Sequence, residues 1–383
     1  MKIGILVTII SGFGKKGFYH SQEIGLGKAL RELGHEVIVY KGVSREKKRE
    51  TIQAGEGLRV EYIPMPALGV HGIFDPRVLD QDLDGLLAFS DTQLFLPRVY
   101  RFCEKNGICL VPYIGIAHSS EKNFKSLWMD AVYRLGTRRI YRKIPVLAKN
   151  DGVRRELMAQ GVRDCEIAPV GLDETELKQD FETQDRSALR AKYGYSDQDV
   201  IISFVGRMKS EKRPLDMLRI LDQVKEKKPF RLLMVGEGYL EKEVMDEARR
   251  LSLTDRVRLI PRIPYEKMWE VHYIADYIVN LCDREIFGMA LLEGIYYLSS
   301  AAATDAPGPR YILTGLPGHA LCQTDGEIAS WLTAPAPNMQ TLRDSAAKMM
   351  ERMSWRVCAQ MTEQRTAAYH RRPEQTKGGA ADA

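Results

Sequence analysis

Four stretches of the sequence combine residue types that can do chemistry. The first is Glu285-Ile286-Phe287-Gly288-Met289-Ala290-Leu291-Leu292-Glu293, two carboxylates eight residues apart around a Phe-Gly pair. An apolar run, Tyr277 to Leu281, precedes it. This pattern reads as a strand whose carboxyl end delivers a tight turn into a helix. Gly288 lets the backbone approach a ligand closely. The N–H groups from Ile286 to Met289 would be first-turn donors without helical partners, which suits a phosphate. Glu293 falls about two turns after Glu285, where a carboxylate can accept both hydroxyls of a ribose or sugar. An amphipathic helix carrying two solvated glutamates fits the same spacing.

The second stretch is Ile201-Ile202-Ser203-Phe204-Val205-Gly206-Arg207-Met208-Lys209-Ser210-Glu211-Lys212. A strand runs into glycine, then Arg207, then Lys212 five residues on. In an open parallel sheet ligands collect outside the carboxyl ends of strands, so two fixed cations there could hold and discharge a diphosphate. Ordinary surface charge in a loop is the plainer alternative. The third is Gly12-Phe13-Gly14-Lys15-Lys16-Gly17. It lacks the G-K-[ST] of a Walker loop and breaks the G-x-G-x-x-G pattern, which leaves a generic close-approach loop centred on Gly14. The fourth is His118, just past the apolar run Ile108 to Ile114. An imidazole at a strand end can orient or polarise a hydroxyl, although a lone histidine is more often structural.

These groups need elements to hold them. Lys2 to Ile9 reads as a buried strand, Ser21 to Leu33 as a helix stopped by Gly34, and Glu36 to Tyr40 as the next strand: one βαβ unit. Further strands are expected at 59–63, 86–89, 108–114, 146–148 and 165–170. The alternation pauses in an acid-rich stretch and restarts at 200–205, 231–235, 257–260, 277–281, 300–303 and 320–322. Repeated βα units imply parallel sheets covered on both faces. The expected organisation is a first domain over 1–172, a linker over 173–198 and a second domain over 199–353. A helical pattern from Met339 to Tyr369 and a disordered tail over 373–383 close the chain.

At 383 residues, 44% hydrophobic and 28% charged, the composition suits about two globular domains. No apolar run reaches the ~18 residues of a membrane helix. The apolar start ends at Ile10, ahead of a glycine loop rather than a cleavage site, so a signal peptide is not expected. The six cysteines have no C-x-x-C pairing or zinc spacing and read as reduced core residues of a cytoplasmic protein. The formal net charge of +5 permits an anionic ligand or membrane surface, and no nucleic-acid motif is present. A basic stretch with interleaved apolar residues, Arg134, Arg138, Arg139, Arg142 and Lys143, fits either an anionic membrane surface or one solvated helix face.

Gly206-Arg207 with Lys212, followed by Glu285-x7-Glu293 enclosing Phe287-Gly288, resembles glycosyltransferase family 4 across nearly the whole chain. Leu30-Arg31-Glu32-Leu33-Gly34-His35-Glu36-Val37 is similar to the family's opening. Val170-Gly171-Leu172-Asp173 resembles its interdomain P-N-G-V-D turn, and Ser354-Trp355 its terminal segment, which crosses back to the first domain. The resemblance implies the α/β GT-B fold, two Rossmann-like domains with parallel sheets facing a central cleft. It implies a helix over about 354–370 packed back on the first, acceptor-binding domain, and a donor-binding second domain.

The implied reaction is a retaining transfer of a hexose or aminohexose from a nucleoside-diphosphate sugar to an acceptor hydroxyl. The acceptor would be a carbohydrate or lipid-linked molecule of cell-surface polysaccharide or glycoconjugate synthesis, and no metal or other cofactor is implied. By the same resemblance Arg207 and Lys212 stabilise the leaving diphosphate, Glu285 lies near the transferred sugar, and Glu293 binds the ribose. Gly206 and Ile286, Phe287, Gly288 and Met289 line the donor, Gly14 approaches phosphate or acceptor, and His118 stands near the reacting sugar. Arg262 and Ile263 fall where backbone contacts the base. The sequence departs from the family in having Leu281-Cys282 for the usual Pro-Ser. It also has Gly294-Ile295-Tyr296-Tyr297-Leu298-Ser299-Ser300 where the family reads A-M-A-x-G-x-P, and it lacks the first loop's Gly-Gly. A GT-B nucleotide-sugar epimerase, which needs no acceptor, and a non-catalytic nucleotide-sugar-binding scaffold are the alternatives.

Overall fold

The computed structural model describes residues 1–10, 21–68, 71–89, 95–116 and 133–371. It divides into two units, one holding residues up to Gly171 together with the stretch from Ser354, the other Leu172 to Met353. Gly14, His118 and the tail from 373 lie outside the described residues.

The first unit is built on β1 (Lys2–Val7), β2 (Glu36–Ser44), β3 (Glu50–Gln53), β4 (Leu58–Met65), β5 (Ala67–Leu68), β6 (His71–Gly72), β7 (Gly85–Phe89), β8 (Cys109–Ile114), β9 (Val146–Ala148) and β10 (Cys165–Ile167). Eight of these form one sheet in the order β10-β9-β8-β7-β1-β2-β4-β3, with every neighbour parallel except the antiparallel β3–β4 pair. Every residue of β7, β8 and β9 is buried, which is why these strands read as unbroken apolar runs. The unit's helices among the described residues include α1 (Gln22–Glu32), α2 (Leu96–Asn106), a short α3 (Arg138–Tyr141) and α4 (Asp151–Ala159). The chain's last helix, Trp355–His370, packs on α1 and β8. Its Arg365 reaches Asp164 at 2.7 Å and Glu166 at 2.5 Å. A Cβ on Gly171 would lie 2.0 Å from the Trp355 nitrogen, so only glycine lets the two passes of chain meet. The ribbon β5–β6 and the edge strand β3, all four of whose residues are exposed, carry no apolar alternation and are absent from the sequence reading.

The second unit holds β11 (Val200–Val205), β12 (Phe230–Val235), β13 (Val257–Ile260), β14 (Tyr277–Asn280), β15 (Ser300–Thr304) and β16 (Ala320–Cys322), all parallel, in the order β13-β12-β11-β14-β15-β16. Counted from its own first strand this is 3-2-1-4-5-6, the doubly wound order, with a switch point between β11 and β14. Its helices are α5 (Arg186–Lys192), α6 (Pro214–Val224), α7 (Glu241–Arg250), α8 (Tyr265–Ile274), α9 (Met289–Tyr296), α10 (Pro307–Leu313), α11 (Asp325–Thr333) and α12 (Met339–Arg352).

One expectation needs correction here. The stretch 173–198 is not a free linker but part of this unit. The Phe181 ring packs edge-on against Tyr273 and Tyr297 with centroids 5.2 and 5.0 Å away, and Arg186 and Arg190 grip Asp276 at 2.9 and 2.7 Å. The terminal helical pattern from Met339 to Tyr369 is two helices that part at Met353 and Ser354, where the backbone leaves the helical region, and the second occupies the stretch 354–370 where a helix was expected.

The segment that departs from the family pattern has a definite geometry. After α9, Ser299 N–H donates to the Gly294 carbonyl at 2.8 Å and Leu298 N–H to that of Ile295 at 3.1 Å, the paired bonds of a Schellman cap. The residue between must be left-handed, and Leu298 stands there with φ +67°, in the place where the pattern that the sequence resembles has glycine. Its side chain is buried, so packing offsets a backbone penalty of roughly 1–2 kcal/mol. Leu298→Gly should therefore be less destabilising than Leu298→Ala, by about 1 kcal/mol in urea unfolding, reversing the usual order. Ala loses the same packing but keeps the strain. The usual order, with Gly worse, would contradict the cap.

Candidate active site

The switch point of the second unit brings two of the sequence-predicted clusters together. Past β11, Gly206 N–H donates to the Val235 carbonyl and Met208 N–H to that of Glu237, both at 2.9 Å. Gly236 has φ +145°, and a Cβ there would fall 1.9 Å from the Gly206 oxygen, so the two loops touch backbone to backbone. The buried Met208 side chain anchors the turn. A single 3-10 turn, Ser210–Lys212, then points Lys212 back toward β14. Arg213 follows with φ +57° and clamps the exit, reaching Asp216 at 2.8 Å and Asp325 at 2.6 Å.

On the facing strand, Asn280 ends β14 and turns the chain by accepting a hydrogen bond from Cys282 N–H at 2.9 Å. Its amide donates to Glu285 Oε2 at 3.1 Å, and Lys212 Nζ donates to the same oxygen at 2.6 Å. Burial by itself pulls the Lys212 ammonium down, but the Glu285 carboxylate outweighs it and holds the group above the ordinary lysine value. Arg207 opposes that rise, which places the second cation in the same field. Arg207 is pinned to Glu211 at 2.6 Å and stays about two-fifths exposed. The Glu285 carbonyl accepts Gly308 N–H at 2.9 Å, and Gly308 lies so close that a Cβ would meet the Phe287 backbone at 2.4 Å. Gly288 caps α9 at φ +102°, a conformation that needs glycine, so the first-turn donors begin at Met289. Phe287 is buried beside the Tyr311 ring, and Ile286 is half-buried.

Glu293 takes a different position from the one its spacing suggested. It is buried on α9 and turned to α8, where His272 Nε2 lies 3.2 Å from Oε2 and the Tyr265 hydroxyl 3.4 Å from Oε1. Its carboxylate contacts these two residues rather than Glu285 or Lys212. Beyond β13, Arg262 pairs with Glu237, and Ile263 packs on the apolar cluster of Ile201, Leu233 and Ile274. Lone residues on an amphipathic helix carry no spacing signal, so sequence reasoning missed His272 and Tyr265. It also missed Asn280 and Arg213, which fix Glu285 and Lys212. In the basic stretch of the first unit, Tyr133, Ile140 and Tyr141 are buried while Arg134, Leu135, Arg139, Arg142 and Lys143 are exposed. Arg142 donates to the Gln160 carbonyl at 2.6 Å and closes the end of α4.

The Lys212–Glu285 pair makes a stability prediction. The lysine value is raised in the folded chain, so its contribution is complete below the ordinary value of 10.5 and fades as pH climbs past the folded value. Glu285→Gln should cost about 1–3 kcal/mol near pH 8 by leaving a partly buried ammonium unpaired. The gap from wild type should narrow above pH 10.5. Urea titrations across that range measure it, and equal stability near pH 8 would contradict the pair.

Residues 185–325 match the family model described as glycosyl transferases group 1. D-inositol 3-phosphate glycosyltransferase of Segniliparus rotundus is 29% identical over 197 residues, 47% of this chain and 42% of that protein. The chain thus matches less than half the length of that curated relative. An uncharacterized glycosyltransferase of Methanocaldococcus jannaschii is 21% identical over 71% of this chain and 72% of its own. Among solved structures, Anabaena HepE in complex with UDP and glucose superposes with a TM-score of 0.68 at 16% identity, covering 96% of this chain and all of the other. Sucrose-phosphate synthase of Thermosynechococcus elongatus gives 0.74 at 14%, covering 96% and 99%. The chain thus has the fold of the GT-B glycosyltransferases, and its second unit matches the group 1 glycosyl transferases from residue 185 to residue 325.

Proposed function

We propose that this protein is a retaining glycosyltransferase that moves a hexose or aminohexose from a nucleoside-diphosphate sugar to a hydroxyl of a carbohydrate or lipid-linked acceptor, without a metal ion. The observation that carries the reading is the Lys212–Glu285 ion pair, with Arg207 beside it, at the carboxyl-end switch point of a doubly wound sheet. Two cations there would neutralise a departing diphosphate, the charge that develops as the glycosidic bond to phosphate breaks. Glu285 keeps the ammonium charged and aimed while the site is empty of donor. The first-turn N–H groups of α9 add donors of the kind that bind phosphate. Glu293 would take the ribose hydroxyls and Arg262 and Ile263 would border the base; His118, proposed near the reacting sugar, and Gly14, proposed near phosphate or acceptor, lie outside the described residues.

Positive charge from Arg207 and Lys212 takes the part that a divalent cation plays elsewhere, which is the basis for proposing metal independence. The names of the relatives support the class: the Segniliparus protein is a glycosyltransferase of D-inositol 3-phosphate, and the Anabaena structure holds UDP and glucose. Among the described residues no helix is long and apolar enough to cross a membrane. We place the enzyme in the cytoplasm, in cell-surface polysaccharide or glycoconjugate synthesis, with the exposed cations from Arg134 to Lys143 as its contact to the inner membrane face.

A thermal-shift screen of UDP, GDP, ADP and dTDP sugars, with and without EDTA, tests the donor. One nucleotide family should stabilise the protein equally in both conditions. Lys212→Ala should lower kcat by about 10²–10³ with the fold intact, the loss seen when a transition-state charge loses its donor. No shift with any nucleotide, or wild-type turnover in Lys212→Ala, would overturn the reading. Turnover without acceptor, giving an altered sugar nucleotide, would instead mark an epimerase.

A further inference from the structure

The group that the functional reading assigns to the ribose is not held by the residues around the diphosphate. Glu293 accepts one hydrogen bond on each carboxylate oxygen, from the Tyr265 hydroxyl on Oε1 at 3.4 Å and from His272 Nε2 on Oε2 at 3.2 Å. A carboxylate only accepts, so the imidazole carries a hydrogen on Nε2. The His272 ring is fully buried, parallel to Tyr297 at 7° with centroids 6.2 Å apart. Its Nδ1 has no hydrogen-bond partner among the described residues. The ring's one polar commitment is therefore Glu293. A buried imidazole with one nitrogen unused is a poor choice for packing alone, since an apolar side chain of similar size would carry no polar cost. Tyr265 is likewise drawn to Glu293, and burial followed by the Glu293 charge push its phenol far above the ordinary range, so it stays a donor. The cavity beside them, lined by Tyr265, Trp269, His272, Glu293 and Tyr297, is about 20 Å³, room for one water.

We infer that His272 and Tyr265 are positioning residues that fix the Glu293 carboxylate, one donor on each oxygen, with its two remaining lone-pair directions turned to a pair of neighbouring ligand hydroxyls. This rests on the reading of Glu293 as the ribose-binding group. With one lone pair of each oxygen engaged from α8, the carboxylate cannot rotate freely. Two acceptor directions are left, which matches the vicinal diol of a ribonucleotide and not the single hydroxyl of a deoxyribonucleotide. Discrimination between the two should depend on His272 and Tyr265 although neither need touch the ligand.

Calorimetric titration with UDP and 2′-deoxy-UDP, or with the corresponding pair for whichever nucleotide stabilises wild type, tests this in the full chain. Wild type should bind the ribonucleotide about 10-fold tighter, the strength of a hydrogen bond to a charged group. In Tyr265→Phe, which removes one oxygen, and in His272→Ala the ratio should fall toward about 1–3-fold, with donor KM up about 10-fold and kcat changed far less. His272→Gln, whose amide can donate from a similar position, should restore most of the ratio. Should His272→Ala fail to fold, Tyr265→Phe carries the test alone. Unchanged discrimination in folded variants of a nucleotide-binding wild type overturns this inference and leaves the functional reading standing. Absence of nucleotide binding by wild type overturns both.

Discussion

A lysine side chain four-fifths removed from water is unfavourable unless a carboxylate stands beside its ammonium group, and the second unit meets that need at Lys212. Glu285 supplies the charge, Asn280 holds Glu285, and Arg213 and Met208 fix the two ends of the turn that carries Lys212. Met208, Lys212 and Arg213 follow β11 while Asn280 and Glu285 end and follow β14, so the pair forms only when β11 and β14 lie side by side. That adjacency is the topological switch of the sheet, the point at which chain direction leaves a crevice for a ligand. Fold and chemistry thus share one requirement. A sheet in another order would strand the lysine and the glutamate apart.

The glycines serve the same end at a few places. Gly236 and Gly308 let backbone meet backbone under the two loops, and Gly288 supplies the left-handed turn that starts α9. Where the pattern that the sequence resembles has a glycine at the end of α9, this chain keeps the turn and fills it with Leu298. The departure therefore alters strain and packing rather than topology, and Glu293, the charged residue of α9, stays on its helix.

Most of the architecture was legible because buried parallel strands are short apolar runs set between helices. Val146–Ala148, Val200–Val205 and Val257–Ile260 have the bounds their sequence suggests. The acid-rich stretch after Asp173 was misread because its composition masks the apolar anchor Phe181, whose partners Tyr273, Tyr296 and Tyr297 are about a hundred residues away. The exposed strand Glu50–Gln53 was invisible for the converse reason, since an edge strand with no buried face has no apolar period. The placement of Arg207, Lys212 and Glu285 just past strand ends was readable. The turning of Glu293 toward His272 was not, because helix spacing fixes which face a side chain leaves from but not which neighbouring helix meets it.

The central claim is that a nucleoside diphosphate binds at the Lys212–Glu285 pair. The most direct measurement is a structure of the protein with UDP, or with whichever nucleoside diphosphate stabilises it. The account predicts phosphate oxygens within hydrogen-bond distance of Lys212 Nζ and the Arg207 guanidinium, with the α9 N-terminus facing the same group. A nucleotide bound elsewhere, with the Lys212–Glu285 pair untouched, would contradict it.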